Sequence, residues 1–162
     1  MDTHTTAKTV SDAGFDLTAP TAEERKRLEA SLTREEADVL LRHGTEAPFC
    51  GGLLDNKDDG VYCCRLCGLP LFLHKTKFES GTGWPSFWAP YAEDHVLSVR
   101  DTSYGMIRIE TLCARCGSHQ GHVFPDGPPP TRLRYCINSV SLSFVKSGVP
   151  LPDPLDRGDT LT

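Results

Sequence analysis

Two Cys-x-x-Cys pairs constrain the fold of this chain more than any other feature of its sequence. Cys64 and Cys67 form the first pair, Cys113 and Cys116 form the second, and a glycine follows each pair directly. Four soft thiolates at this spacing suit a tetrahedral structural zinc ion. The pairs lie about 45 residues apart, farther than in a compact zinc ribbon. We therefore predict one structural Zn2+ per chain that joins two distant hairpins.

The alternative for each pair is a redox dithiol of the thioredoxin type, which sits at a helix N-terminus after a buried strand. Neither pair has that setting in the sequence. Cys63 could compete with Cys64 as a ligand, but the Cys-x-x-Cys spacing favours Cys64. A closed four-thiolate site offers no open position for chemistry. A reactive function is therefore expected among the remaining cysteines, which are Cys50, Cys63 and Cys136.

Composition sets broad limits on the class of protein. The chain has 162 residues, 38% of them hydrophobic and 24% charged, and its formal net charge is −5. These values predict a soluble single domain and argue against nucleic acid as a partner. Sequence patterns add that no apolar run reaches membrane-spanning length and that residues 1–10 lack the apolar core of a signal peptide. Thiols in such a chain predict a reducing compartment, the cytoplasm.

The chain pattern predicts a mainly β fold with two short N-terminal helices. Residues 1–19 are interpreted as a disordered tail and residues 147–162, rich in proline and glycine, as a flexible one. Capping boxes predict helices from Thr21 to about Leu32 and from Thr33 to about Gly44, within 21–43 of a single catalytic domain 20–146. Its β domain covers 47–145, with predicted strands at 61–64, 69–73, 96–100, 106–112, 133–138 and 140–145. Residues 101–105 are turn-like, so the strands at 96–100 and 106–112 are predicted to form a hairpin.

The predicted strand at 133–138 carries the candidate reactive thiol. Alternation directs Leu133, Tyr135 and Ile137 to a core, and places on the other face Arg134, Cys136 and Asn138. A neighbouring arginine favours the nucleophilic thiolate, and an amide can hold a developing negative oxygen. A buried structural cysteine is the alternative, and these residues alone do not separate the two interpretations.

Two further motifs add candidate site residues. His119, His122 and Asp126 lie close to Cys136 in sequence, and a histidine can donate a proton to a leaving oxygen near neutral pH. The alternative is that these histidines are metal ligands or ordinary polar residues. Trp84 lies in a glycine-rich loop, which favours an exposed aromatic face for binding over a place in the core.

Taken in order, these motifs resemble the methionine-R-sulfoxide reductase B family. The resemblance covers roughly residues 47–144 and rests on Gly-x-Gly-Trp-Pro-Ser-Phe, the Cys pairs, His-x-Gly-His-Val-Phe-x-Asp-Gly-Pro and Arg-Tyr-Cys-x-Asn-Ser. It implies a fold with two antiparallel sheets, with a structural zinc in many members. It also implies reduction of the R epimer of methionine sulfoxide in oxidised proteins or peptides, with thioredoxin as the reductant.

The resemblance also implies roles for individual residues. Cys136 would be the nucleophile that becomes a sulfenic acid, Trp84 would pack on the substrate methyl group, and His122 would handle the sulfoxide oxygen. The residues that would shape the pocket and hydrate it are His119, Asp126 and Asn138. Arg134 occupies a position where the family also has arginine.

The chain departs from this pattern at Thr82, where many members have the resolving cysteine. Cys50, in a segment with two glycines, is the favoured replacement, and Cys63 is the second candidate because a strand would hold it more rigidly. Gln120 and Arg132 also differ from the usual leucine and glycine, and the sequence does not explain either difference. The competing hypothesis is a zinc-stabilised protein-binding module without catalysis. A monomer is expected, with no nucleic acid and no membrane as partners.

Overall fold

The fold is given by a computed structural model that describes residues 8–161. Two α-helices and nine β-strands are found within this range, and none of its helices is long and apolar enough to cross a membrane. The helices are α1 (Ala22–Ala30) and α2 (Arg34–Leu40). The strands are β1 (Gly60–Cys64), β2 (Pro70–Leu73), β3 (Lys77–Phe78), β4 (Ser86–Phe87), β5 (Val96–Asp101), β6 (Arg108–Cys113), β7 (His119–Phe124), β8 (Arg134–Ile137) and β9 (Leu142–Lys146).

The strands form two antiparallel sheets, which confirms the predicted fold class. One sheet has the order β2-β1-β9 and the other the order β3-β4-β8-β7-β6-β5. Aromatic side chains pack the two sheets together: Phe72 of the first stacks on Phe87 of the second at 4.5 Å, and Tyr62 meets Phe87 edge-on at 5.1 Å. All three rings are fully buried. Each such ring buries a large apolar area.

Both helices begin at the predicted capping boxes. The Thr21 hydroxyl accepts from the Glu24 amide at 3.1 Å, the Glu24 carboxylate accepts from the Thr21 amide at 2.9 Å, and Thr33 and Glu36 repeat the arrangement. Both helices end earlier than predicted. Thr33 caps α2 with an extended backbone, so α1 must end before Thr33. After α2, the positive φ of His43, 58°, does not continue the helix.

The strand predictions agree with the structure at most positions. The hairpin of β5 and β6 pairs Val96 with Cys113 and Asp101 with Arg108 around the predicted turn. Alternation in β8 is confirmed, since Tyr135 and Ile137 are buried in the core. Strand β7 was not predicted, because its first four residues are polar or glycine and give no apolar alternation.

The interpretation of both ends as tails is wrong for their described parts. Residues 1–7, within the predicted disordered tail, lie outside the described residues. Farther along, Phe15 and Leu17 are buried in the core, and Val10 pairs with Asp16 in a β-bridge. In the C-terminal segment, Leu155 is also buried in the core. Isolated apolar side chains among proline and glycine give no periodic signal, which is why the sequence pattern did not reveal these contacts.

One buried cation ties both ends of the chain to the cysteine turns. The Arg115 side chain is 0% exposed, and it donates to Asp159 at 2.9 Å, to the Cys67 carbonyl at 2.8 Å and to the Asp16 carbonyl at 3.0 Å. The Asp159 carboxylate is 2% exposed. A buried guanidinium without its counter-ion is strongly unfavourable, so Asp159 is needed to hold this arrangement together.

We therefore expect Asp159→Asn to lower the free energy of unfolding by about 3 kcal/mol, because it leaves the Arg115 charge buried without a partner. The measurement is chemical denaturation of the metal-loaded protein. Asp156→Asn is the matched control, since Asp156 is exposed in the same segment and should change stability little. Equal stability of the two variants would show that the C-terminal segment does not support the fold.

Candidate active site

The four cysteines of the two pairs meet at one buried point between the sheets. Their sulfur atoms all lie within 4.8 Å of one another, with Cys64 and Cys116 at 3.6 Å and Cys67 and Cys113 at 3.5 Å. Tetrahedral zinc with Zn–S bonds of 2.3 Å would separate its sulfurs by about 3.8 Å. The arrangement therefore fits a metal ion held by four thiolates.

The surroundings of this cluster also suit a metal ion. Ser118 Oγ lies 3.3 Å from Cys64 Sγ, and the Gln120 amide donates to the same sulfur at 3.6 Å. The glycines after each pair, Gly68 and Gly117, have φ of 84° and 75°. That left-handed conformation lets the backbone fold back over the sulfurs. The Gln120 side chain, unexplained by the sequence, thus supports the cluster.

Cys136 lies apart from this cluster, near the middle of the larger sheet. In β8 it pairs with Ser86 of β4 on one side and with His122 of β7 on the other. Gly121 of β7 permits the close approach of these strands, because a Cβ there would lie 2.0 Å from the Cys136 carbonyl oxygen. Antiparallel register therefore sets the candidate nucleophile and the candidate proton donor side by side.

A cavity of about 240 Å3 opens over Cys136. Five of its lining residues are predicted site residues: Trp84, His122, Arg134, Cys136 and Asn138. The others are Thr45, Thr82, Arg108, Gly121 and Phe124. Trp84 and Phe124 give the cavity apolar walls, while the imidazole, the guanidinium and the amide are polar. The cavity can thus hold a small side chain that is apolar at one end and polar at the other.

Burial raises the pKa of the Cys136 thiol, and the nearby Arg134 charge and the Thr82 hydroxyl offset part of that rise. Thr82 Oγ1 lies 4.0 Å from the Cys136 sulfur. The Arg134 guanidinium is itself fixed, since it donates to Asp126 at 2.9 Å and 3.1 Å and lies 4.4 Å from the centre of the Phe124 ring. The sequence-based expectation that arginine favours the thiolate thus has the right direction, but burial outweighs it.

Asp101 is a site residue that the sequence analysis missed. Its carboxylate lies 2.7 Å from His122 Nε2 and accepts from the Ser103 amide at 2.9 Å. These hydrogen bonds hold the pKa of Asp101 well below its usual range. An ionised carboxylate at this distance orients the imidazole. Asp101 was placed in a turn by its sequence, and only the strand register shows its contact with His122.

Asn138 is held from two directions and joins the cavity to a second missed segment. Its side-chain oxygen accepts from the Glu46 amide at 2.9 Å, and its amide nitrogen donates to the Gln120 carbonyl at 3.0 Å. The Trp84 indole donates to the Glu46 carbonyl at 3.1 Å. The segment around Glu46 therefore positions both Asn138 and Trp84, although no motif in the sequence marked it.

Two residues predicted to shape the substrate pocket lie outside the cavity. The His119 ring is buried, contacts Glu110 at 2.5 Å and faces a neighbouring cavity. Burial lowers the pKa of His119, and the Glu110 carboxylate acts in the opposite direction. Asp126 is exposed and touches the site through its ion pair with Arg134. Neither side chain lines the space above the Cys136 sulfur.

The two candidate resolving cysteines have different surroundings. Cys63 is fully buried in β1 of the smaller sheet, and burial raises its pKa to about 12. Cys50 is exposed in a loop, where the amide of the preceding Phe49 donates to the Gly83 carbonyl at 2.7 Å. Gly83 lies between Thr82 and Trp84, so the Cys50 segment touches the loop that borders the cavity.

The fold and the site together define a β protein with a structural four-cysteine cluster and a separate thiol in a substrate-sized cavity. The protein-family model described as the SelR domain matches residues 32–146 of this chain. A peptide methionine sulfoxide reductase MsrB of Caulobacter vibrioides is 79% identical over 158 residues, covering 98% of this chain and 99% of that protein. One of Xylella fastidiosa is 62% identical over 148 residues, covering 91% and 96%. The chain therefore belongs to the methionine sulfoxide reductase B family, which confirms the resemblance.

The raised pKa of Cys136 leads to a measurable pH dependence. Alkylation requires the thiolate, so its rate should rise with pH to a midpoint above that of an ordinary cysteine, near 8.5. Arg134→Ala should move the midpoint higher still, because Arg134 offsets part of the effect of burial. The midpoint is measured from the pH dependence of the rate at which iodoacetamide alkylates Cys136 in the Cys50→Ser protein. Arg100→Ala removes an exposed arginine as a control, and an equal shift in both variants would contradict a local role for Arg134.

Proposed function

We propose that this protein reduces methionine-R-sulfoxide in oxidised proteins or peptides to methionine, with Cys136 as the nucleophile. The observation that carries the proposal is the cavity that Cys136, Trp84 and His122 line together. Family membership supports the reaction class. We further propose that the protein acts as a monomer in the cytoplasm, where its cysteines would stay reduced.

Substrate binding divides between the two kinds of cavity wall. Trp84 and Phe124 would pack against the methyl group and side chain of the oxidised methionine, which are apolar. The sulfoxide oxygen would lie toward His122 and Asn138, whose polar groups can bond to it. This orientation leaves the sulfur atom of the substrate facing the Cys136 sulfur, which nucleophilic attack requires.

The chemical step transfers oxygen from the substrate sulfur to the Cys136 sulfur. The thiolate attacks the sulfoxide sulfur while the His122 imidazolium, paired with Asp101, protonates the oxygen. The attack forms an S–S bond, and the hydroxyl group then moves from the substrate sulfur to the Cys136 sulfur. Both the substrate S–O bond and the S–S bond break, methionine leaves, and Cys136 becomes a sulfenic acid, oxidised by two electrons. Because burial raises the pKa of the free thiol, deprotonation of Cys136 forms part of the energetic barrier.

The sulfenic acid would then be resolved by Cys50. Its thiol attacks the Cys136 sulfur, water leaves, and a disulfide forms. Cys50 suits this role better than Cys63 because it is exposed and its loop contacts the rim of the cavity at Gly83. Closing the bond requires loop movement to a Cβ–Cβ distance of about 4 Å. Thioredoxin would restore both thiols by thiol–disulfide exchange.

The ion of the four-cysteine cluster is proposed to be Zn2+, one per chain, with a structural role. The ligands would be Cys64, Cys67, Cys113 and Cys116, whose donor set and spacing suit zinc. Such an ion would stabilise the fold by joining the two sheets, and all of its coordination positions would be filled by protein. The reaction at Cys136 proceeds through the protein's own side chains.

Cys136→Ser should abolish turnover, lowering it by at least about 1,000-fold, because a hydroxyl cannot replace the thiolate as nucleophile. The assay uses each sulfoxide epimer separately, with thioredoxin as reductant. Metal content and thermal unfolding provide the control, since both should match the unchanged protein. Full retention of turnover would rule out Cys136 as the nucleophile, and absence of turnover in the unchanged protein would favour a non-catalytic binding module.

Counting thiols after a turnover without reductant identifies the resolving residue. The unchanged protein and Cys63→Ser should each lose a pair of thiols, whereas Cys50→Ser should lose the Cys136 thiol alone. The matched rescue is Thr82→Cys in the Cys50→Ser protein, because residue 82 already lies within 4.0 Å of the Cys136 sulfur. Loss of the second thiol in Cys50→Ser but not in Cys63→Ser would show that Cys63 resolves instead.

A further inference from the structure

Three side chains of types that can bind a metal ion converge on the side of His122 that faces away from Cys136. In strand register, Glu110 of β6 pairs with His122, which in turn pairs with Cys136. The Glu110 Oε2 atom contacts His119 Nδ1 at 2.5 Å and also contacts His43 Nδ1. The ligand atoms of these three side chains all lie within 4.8 Å of one another. A single carboxylate oxygen therefore lies against two imidazoles.

Each of the three side chains is brought there by a different part of the fold. Glu110 comes from the middle of β6 and His119 from the start of β7. His43 follows α2 with φ of 58°, a conformation that is uncommon outside glycine. A side chain held by an unfavourable backbone conformation is a signal to look for function. Here that conformation turns the chain and brings the His43 imidazole to the carboxylate.

The cluster is closed on one side and open on the other. The side chains of His119 and Glu110 are 2% and 11% exposed, while that of His43 is 56% exposed. A cavity of about 330 Å3 lies over the cluster and gives room for water molecules as additional ligands. Two arginines also line it, but each is paired with a carboxylate, Arg42 with Asp38 and Arg108 with Asp101.

We propose that His43, Glu110 and His119 form a second metal site, for a divalent transition metal ion such as Zn2+. Two imidazole nitrogens and one carboxylate oxygen are a donor set that this class of ion prefers. The ion would replace the direct contacts between the imidazoles and Glu110, and the carboxylate would move back to make room for it. It would differ from the four-thiolate cluster in having an open side, where water completes the coordination.

A metal ion at this site would affect the reaction proposed above. The His119 ring lies 5.5 Å from the His122 ring, and His122 and Arg108 line the same cavity as the cluster. An ion there would draw His119 and Glu110 into its coordination sphere beside the proposed proton donor. On the basis of the proposed function, we expect bound metal to slow sulfoxide reduction and a chelator to restore it.

Binding is tested first, without reference to activity. The Cys50→Ser, Cys136→Ser double variant removes the two thiols that are not fully buried and keeps the four-cysteine cluster. Dialysis against Zn2+ buffered at micromolar free concentration should give one ion more than the cluster holds. Adding His43→Ala to this variant should lower its affinity for the extra ion at least ~10-fold, since loss of a residue that only contacts a metal ligand already lowers metal affinity by that much. His74→Ala, which removes a histidine outside the cluster, should leave it unchanged.

The absence of an extra ion, or equal retention of it by the His43→Ala protein, would overturn the site. Inhibition is then measured in the protein with its natural cysteines. Zn2+ should slow turnover equally in the unchanged protein and in His74→Ala. Turnover of His43→Ala should be less sensitive to Zn2+. Equal inhibition of all three would overturn the inhibitory role. Failure of the proposed function would appear separately, as absence of turnover before any metal is added.

Discussion

The four-cysteine cluster is the connection on which the rest of the structure depends. Cys64 and Cys67 belong to the turn between β1 and β2, and Cys113 and Cys116 to the turn between β6 and β7, so the cluster joins the two sheets. The cluster is linked to the candidate active site through Gln120, whose side-chain amide donates to the Cys64 sulfur and whose carbonyl accepts from the Asn138 amide. The cluster thereby fixes β7, the strand that carries His122.

Strand register determines which side chains lie beside one another in this rigid sheet. Ser86, Cys136, His122, Glu110 and Val99 are successive cross-strand partners from β4 to β5. A shift of one residue in any pairing would move its side chains to the opposite face of the sheet. The distance between thiol and imidazole therefore follows from backbone pairing across the sheet. A flexible loop could not hold these groups with the same precision.

Local sequence signals predicted the parts of this protein that are formed locally. Capping boxes placed both helix starts, a polar turn placed the β5–β6 hairpin, and alternation in β8 assigned Cys136 to the face opposite the core. The contacts of Asp101 with His122 and of Glu46 with Asn138 could not be predicted in this way, since each joins segments far apart in sequence. The same reason explains the packed C-terminal segment, whose Asp159 meets Arg115 44 residues away.

The two cysteines of the proposed cycle differ in how firmly the fold holds them, since Cys136 lies in a strand and Cys50 in a loop. The proposed chemistry requires this difference. Cys136 must meet a bound sulfoxide in one geometry, which a central strand provides. Its partner must stay clear while substrate occupies the cavity and then approach to bond-forming distance, which a loop allows. Cys63 lies in a buried strand between two hydrogen-bonded neighbours and cannot make that movement without unpairing the sheet. Thr82, beside the proposed nucleophile, cannot form a disulfide, and the loop of Cys50 meets both requirements.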